Sequence, residues 1–348
     1  MFDTVKIYKK IKLNTSILAA WKLHKGKKII KYVKELKGIT FTYYPETINN
    51  PVKNLLMASF SMPTLIYGSN VFMAYESDIP KLQKSFHLIS KEIFGFELPN
   101  ILYWQVSRLD YCYNFYVEQV DLIQKYIKIL NKCKVPYFKN ISYDTTAFFY
   151  NTSHSFKFYN KFEEIKSKLN NDNESTDENI EIIKPFSENL FRFEASIRRR
   201  KLLELFSSNK KGGVILKDIL TDAQAVKIME KYLQKIKIQN PLDLVKAKKI
   251  IQASIMRPTS KAKLLVFIDY LSRYGSMKAK EKYLNNYRTR IKDLKQLGLE
   301  SFFISDFTDG VINFKLTLKT ELPQQFPSKN VFQILLSIRY VFIYEDGG

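Results

Sequence analysis

Cysteine is almost missing from this chain of 348 residues: only Cys112 and Cys133 occur, in no CxxC or zinc-like spacing. The shortage excludes a disulfide framework and a structural zinc site, and it points to a reducing compartment. Long apolar runs are missing too. None approaches the roughly 18 residues of a membrane helix, and residues 1–13 alternate polar with apolar where a secretory leader carries an unbroken apolar core. With no basic amphipathic helix and no lipidation signal, a membrane drops out as a partner and a cytoplasmic protein is expected. Acidic side chains are the third scarcity: 34 stand against 56 Lys and Arg, a net charge of +22 spread along the chain and not gathered in one tail. Such a field favours a polyanion, nucleic acid first.

What is abundant is apolar and aromatic surface. Hydrophobic residues make up 45%, with 22 Tyr and 26 Phe, so the chain folds, and its length allows two domains with a core each. Val5, Ile7 and Ile11 alternate with polar neighbours and predict a first strand; residues 39–44 repeat that period after Gly38. Residues 56–66 read as another strand, closed by the turn Tyr67-Gly68-Ser69-Asn70, and 79–94 as a helix with Leu82, Phe86, Ile89 and Ile93 on one side. A long strand is expected over 103–117, a helix over 120–133, strands at 143–150 and 155–159, and a helix at 162–169. After a polar, flexible insertion at 170–188, a strand follows at 190–197 and a helix at 201–206.

Lys210-Lys211-Gly212-Gly213 makes a boundary, giving a first domain of 1–212 and a second of 213–348. Three helices in the second, at 261–274, 276–284 and 287–297, resemble a helix-turn-helix, and the hairpin signal Asp309-Gly310 within 302–318 would add a wing. The expected fold class is therefore α+β: an antiparallel sheet with packed helices, followed by a mainly helical, winged-helix-like C-terminal domain.

Three short motifs carry charge in strand contexts: Arg108-Leu109-Asp110, Tyr159-Asn160-Lys161-Phe162-Glu163-Glu164 and Arg192-Phe193-Glu194. A carboxylate inside a sheet must be paired or hold a metal, since an unpaired buried charge costs several kcal/mol. One reading is two Arg–carboxylate pairs that stabilise the sheet. The other has Asp110 and Glu194 converging on one Mg2+ or Mn2+, with Tyr159 as a nucleophile that a nearby cation such as Lys161 activates.

The ordered series Ser107-Arg108-Leu109-Asp110, Tyr159-x-Lys161-x-x-Glu164 and Leu190-x-Arg192-Phe193-Glu194-Ala195-x-Ile197 resembles the gene II replication proteins of filamentous phages. The opening Met1-Phe2-Asp3-x-Val5 and Leu65-Ile66-Tyr67-Gly68-Ser69-Asn70-Val71-Phe72 extend the likeness. The resemblance implies a rolling-circle replication initiator of a bacterial host cell. Such a protein nicks origin DNA with a divalent metal, keeps the 5′ phosphate on Tyr159 and later religates the displaced strand, while a host helicase and polymerase do the unwinding and copying. Asp110 and Glu194, with Glu164 as a third, are expected to bind the divalent ion, and Lys161 with Arg108 or Arg192 to offset charge on the transition state. The chain has no GxxxxGK[ST] loop, and a phosphotyrosine conserves bond energy so that ligation needs no nucleotide. Many rolling-circle nickases hold their metal with a paired His motif, whereas His24, His87 and His154 never pair, so carboxylates must serve; a lone His154 in a hairpin reads as a solvated turn residue.

For the DNA itself, Arg198, Arg199 and Arg200 are expected to grip phosphates near the cut. Lys282, Tyr287, Arg288, Arg290 and Lys292 would give the last two helices a basic face for a major groove. Two alternatives stay open: a non-catalytic origin- or operator-binding protein, and a mobilisation relaxase.

Overall fold

The computed structural model describes residues 1–299 except 27–28, 48–52, 118–119, 134, 172–183, 207–212 and 237–241, together with 303–304. The expected wing at 302–318 lies almost wholly outside the described residues, as do most of the 170–188 insertion and the Lys210-Gly212 part of the boundary.

Period-2 alternation organises the first part of the chain. Ten strands form one sheet: β1 Phe2–Lys10, β2 Lys22–Lys25, β3 Ile30–Leu36, β4 Ile39–Tyr44, β5 Leu55–Ser61, β6 Gln105–Tyr116, β7 Lys139–Ser142, β8 Thr146–Tyr150, β9 His154–Asn160 and β10 Leu190–Arg198. Their spatial order is β2-β3-β4-β5-β1-β6-β10-β9-β8-β7, and every pairing is antiparallel. The edges are short: β2 and β7 have four residues each, with Lys22 and Lys25 on one and Lys139 on the other.

One face of this sheet is apolar throughout. Phe41 and Ala58, Val5 and Leu109, Tyr111 and Ala195, Phe193 and Phe158, and Ala147 and Phe149 are fully buried there, and strand alternation keeps them on a common side. Helices cover that face. Ile79–Phe94 packs through Phe86 against Phe41, Phe60 and Trp104. Val120–Lys132 buries Ile123, Ile127 and Leu130, as its helical spacing dictates. Arg199–Phe206 contributes Leu202, and Asp222–Leu233 adds Ala225, Met229 and Tyr232 to the same core. Val214 to Ile236 thus belongs to the sheet's core, and a second core begins only at Leu244, running to Leu299.

Two expectations from sequence need correction. The strand expected at 56–66 stops at Ser61, where Met62–Tyr67 begins a helix: the Ser61 hydroxyl accepts from the Thr64 N–H, Pro63 sits in the first turn, and Gly68 closes it with φ of 74°. The turn expected at Gly275 is absent, because Pro258–Tyr283 is one helix of 26 residues that passes through this glycine; the break comes at Leu284, before Asn285–Gln296. A helix interior tolerates Gly at about 1 kcal/mol, and so Gly275 interrupts nothing.

His154 also departs from expectation. It falls on the apolar face of β9, in the parity of Phe156 and Phe158, and it is buried against Phe138 and Tyr232. The neutral tautomer that donates from Nδ1 to Ser153 Oγ (2.9 Å) and accepts at Nε2 from Asn151 (3.3 Å) satisfies both ring nitrogens. Burial, with Lys235 and Lys201 nearby, pushes its pKa down to about 4.

Two outcomes follow from this core. Phe158 is fully buried with its ring stacked on Phe191 and Phe193, and Phe158→Ala lowers the unfolding free energy by about 3–5 kcal/mol in urea titration. A His154 that stays neutral when folded but protonates near its ordinary value when unfolded gives stability that is full above about pH 6.5 and declines as pH falls toward 4, by about 1–3 kcal/mol. His154→Gln removes that part of the acid slope in unfolding curves recorded across this window.

Candidate active site

The opposite face of the sheet holds the charge. On β10, Arg192, Glu194, Ser196 and Arg198 share it, and pairing fixes their neighbours: Arg192 lies between Asn114 and Tyr159, Glu194 between Cys112 and Lys157, and Ser196 between Asp110 and Ser155. Three motifs distant in sequence thereby meet on the adjacent strands β6, β10 and β9. The site exists because an antiparallel register repeats every second residue; a slip of one would turn all of these side chains into the core.

At the centre, the Tyr159 hydroxyl donates to Glu194 Oε2 at 3.0 Å, and Lys157 Nζ lies 3.1 Å from the same oxygen. The ammonium groups of Lys157 and Lys161 stand 4.6 and 5.7 Å from the centre of the Tyr159 ring. Tyr159 is only 3% exposed. Its burial, with the charge of Glu194 next, lifts the phenol well above its ordinary range. Burial opposes the charge on Lys157, yet the Glu194 carboxylate outweighs it and holds the ammonium above its usual value. Lys161 opens the helix Lys161–Asn171 and is bonded at 2.8 Å to Glu164, one turn on.

Asp110 occupies the next position across β6. Arg108 grips it through two bonds, Nε to Oδ1 at 2.9 Å and a second terminal nitrogen to Oδ2 at 2.5 Å, and also reaches Ser196 Oγ at 3.0 Å. Despite that partner the Asp110 carboxyl is raised to about 6, first by burial and then by the like charge of Glu194. Asp110 and Glu194 are diagonal neighbours on adjacent strands, within reach of each other's field.

Of the two Arg–carboxylate pairs considered from sequence, only Arg108–Asp110 forms. Arg192 turns away from Glu194: its guanidinium, without solvent exposure, bonds Asn114 Oδ1 at 2.6 Å, Asp3 Oδ2 at 3.4 Å, and the carbonyls of Val71 and Phe72 at 2.9 Å each. Arg192 is thus an anchor of the site's wall, while Arg108, its side chain 45% exposed, faces solvent.

Among the described residues no three His, Cys, Asp or Glu side chains are grouped to hold a metal. Asp110 and Glu194 stand together, and Glu164 is drawn to Lys161. His154 lies on the other face of the sheet. A pair of carboxylates, one with its acidity weakened by the other, still fits Mg2+ or Mn2+, since Mg2+ keeps several waters and is bound through one or two carboxylates.

Lys157 escapes the sequence motifs, although it lies two residues before Tyr159 on the same strand face, the very rule that draws attention to Lys161. The basic rim also gains a member: Lys6 pairs with Arg108, which pairs with Arg198, and Lys6 and Arg198 are exposed, as are Arg199 and Arg200 at the start of the next helix. In the C-terminal region Arg288 and Lys292 are exposed one turn apart, and Arg290 is half-buried. Lys282 folds over the Tyr270 ring at 4.1 Å, and Tyr287 packs edge-on against Phe267 instead of facing outward. No helix among the described residues is long and apolar enough to cross a membrane.

No curated protein matches the chain. The sequence family described as the N-terminal region of the replication-associated gene II protein of phages matches residues 12–214, more than half of the chain and nearly all of the sheet with its charged face. The chain belongs to this family, the gene II-type initiators of rolling-circle replication in filamentous phages.

Proposed function

We propose that the protein nicks one strand of origin DNA with Tyr159, holds the 5′ phosphate as a phosphotyrosine and later religates the displaced strand. The observation that carries this reading is the Tyr159 hydroxyl donating to Glu194, with Lys157 on the same carboxylate oxygen. A buried phenol is a poor nucleophile until its proton has somewhere to go, and Glu194 is placed to receive it. The phenolic oxygen then bonds to phosphorus, the bond from phosphorus to the 3′ oxygen breaks, and that oxygen takes up a proton as the 3′ hydroxyl. Religation is the reverse, the 3′ oxygen attacking and the phenol regaining its proton from Glu194.

Lys157 and Lys161 flank the ring, and their charges offset the phenolate as it forms and the phosphotyrosine that follows. Arg108 is the exposed cation nearest Asp110 and reaches toward the incoming phosphate. Arg192 acts as a positioning residue, holding β10 against β1 and β6 so that Glu194 meets Tyr159. Asp110 and Glu194, with Glu164 as the third candidate, would hold Mg2+ or Mn2+, and the ion when bound would supply positive charge to the phosphate oxygens. Origin DNA is the substrate, and a chain without a nucleotide-binding loop leaves unwinding and synthesis to a host helicase and polymerase.

Incubation with supercoiled origin DNA and Mg2+ tests the tyrosine: Tyr159→Phe abolishes nicking and the covalent protein–DNA adduct on a denaturing gel, and full nicking by this variant sinks the assignment. Lys157→Met is expected to slow adduct formation by about 10²-fold with DNA affinity retained. Its pH–rate profile moves to higher pH, because the phenol loses a cation that favours its ionised form, and Lys157→Arg restores the profile in part.

A further inference from the structure

The face that carries Tyr159 continues outward across β8 and β7, where its chemistry changes. Register sets Thr146 opposite Tyr159, Phe148 opposite Lys157 and Tyr150 opposite Ser155. Beyond them Ile141 faces Phe148 and Lys139 faces Tyr150. All of these share the side of Tyr159, while Ala147 and Phe149 point the other way into the core that Val120–Lys132 covers. The rings of Phe148 and Tyr150 lie 5.4 Å apart with their planes within 12° of parallel, and both are partly exposed. On the open face of an antiparallel sheet polar side chains are the rule; here two parallel rings stand side by side, flanked by exposed Lys139 and by Lys157. Phe148 is two residues along and one strand over from Tyr159, roughly 8 Å at strand spacings.

We propose that Phe148 and Tyr150 form a stacking platform for bases of single-stranded DNA next to the scissile phosphate, a subsite that rests on the nickase reading above. Every base has a flat π face, so such a platform accepts any sequence, and exposed Lys139 complements the phosphates of the same segment. Duplex DNA keeps its base faces within its own stack and cannot use the rings. The platform therefore favours a melted origin over a closed one and holds the strand in place during the interval between cutting and rejoining.

The test uses the full chain in EDTA, which prevents cleavage, with a fluorescein-labelled oligothymidylate and a duplex of the same length, read by anisotropy. Phe148→Ala with Tyr150→Ala weakens oligothymidylate binding by about tenfold or more and leaves duplex binding unchanged. The slope of log affinity against log salt stays the same, because no phosphate contact is removed. Phe148→Tyr with Tyr150→Phe keeps two rings and restores binding, which separates stacking from misfolding. Unchanged oligothymidylate affinity in the Ala variant, or an equal loss on both DNAs, overturns the platform. Adduct formation with Mg2+, compared between the unsubstituted protein and Tyr159→Phe, tests the nickase reading without touching the two rings, so the two readings fail separately.

Discussion

A guanidinium with no access to water has to find protein partners for its donors, and Arg192 does so by clasping three separate parts of the chain. It reaches Asp3 on β1, Asn114 on β6 and two carbonyls of the segment at Val71 and Phe72. Removing one partner from such a group leaves a buried charge uncompensated, at about 3–5 kcal/mol, so the clasp strongly disfavours any other arrangement of β1, β6 and β10. Everything on the open face inherits its geometry from that arrangement. Glu194 follows Arg192 by two residues and shares its side, and Tyr159 is Arg192's cross-strand partner. The same arginine ties the segment at Val71 and Phe72 to β10.

Around Glu194 the balance of charge is local. Burial first, and then repulsion from Glu194 on the adjacent strand, make Asp110 protonate nearer neutrality than an exposed aspartate. Each has its own cation: Arg108 chelates Asp110, and Lys157 holds Glu194. The phenol of Tyr159 is thereby set beside a carboxylate that already has a cation of its own. In this surrounding the neutral phenol is the resting form.

Much of this is legible in the sequence because it depends on short-range periodicity. The helix at Ile79–Phe94, the strands that carry Asp110 and Glu194, and the shared face of Arg108 with Asp110 all follow from spacing. The same parity rule, applied to β9, separates Lys157 and Tyr159 from His154, whereas hairpin position taken alone makes His154 a solvated turn. Strands β2, β3 and β7 are hard to see, since residues such as those of β3 are half-buried and show no apolar alternation. The choice of Arg192's partner is beyond local reasoning altogether: Asp3 lies 189 residues away in sequence. Gly275 shows the converse error, a residue that reads as punctuation where the flanking turns of helix are strong enough to run through it.

The short lysine-bearing strands at the two margins of the sheet have a consequence for the protein in bulk. An open sheet leaves unpaired backbone N–H and C=O groups along its outermost strands, and these can template the addition of another copy. Only four residues are offered at either margin, with Lys22 and Lys25 on one and Lys139 on the other, in a chain whose net charge of +22 already sets copies apart. Two such margins brought together would bury ammonium groups against each other. Short, charged margins thus disfavour the edge-to-edge addition of a second copy along this broad ribbon of backbone.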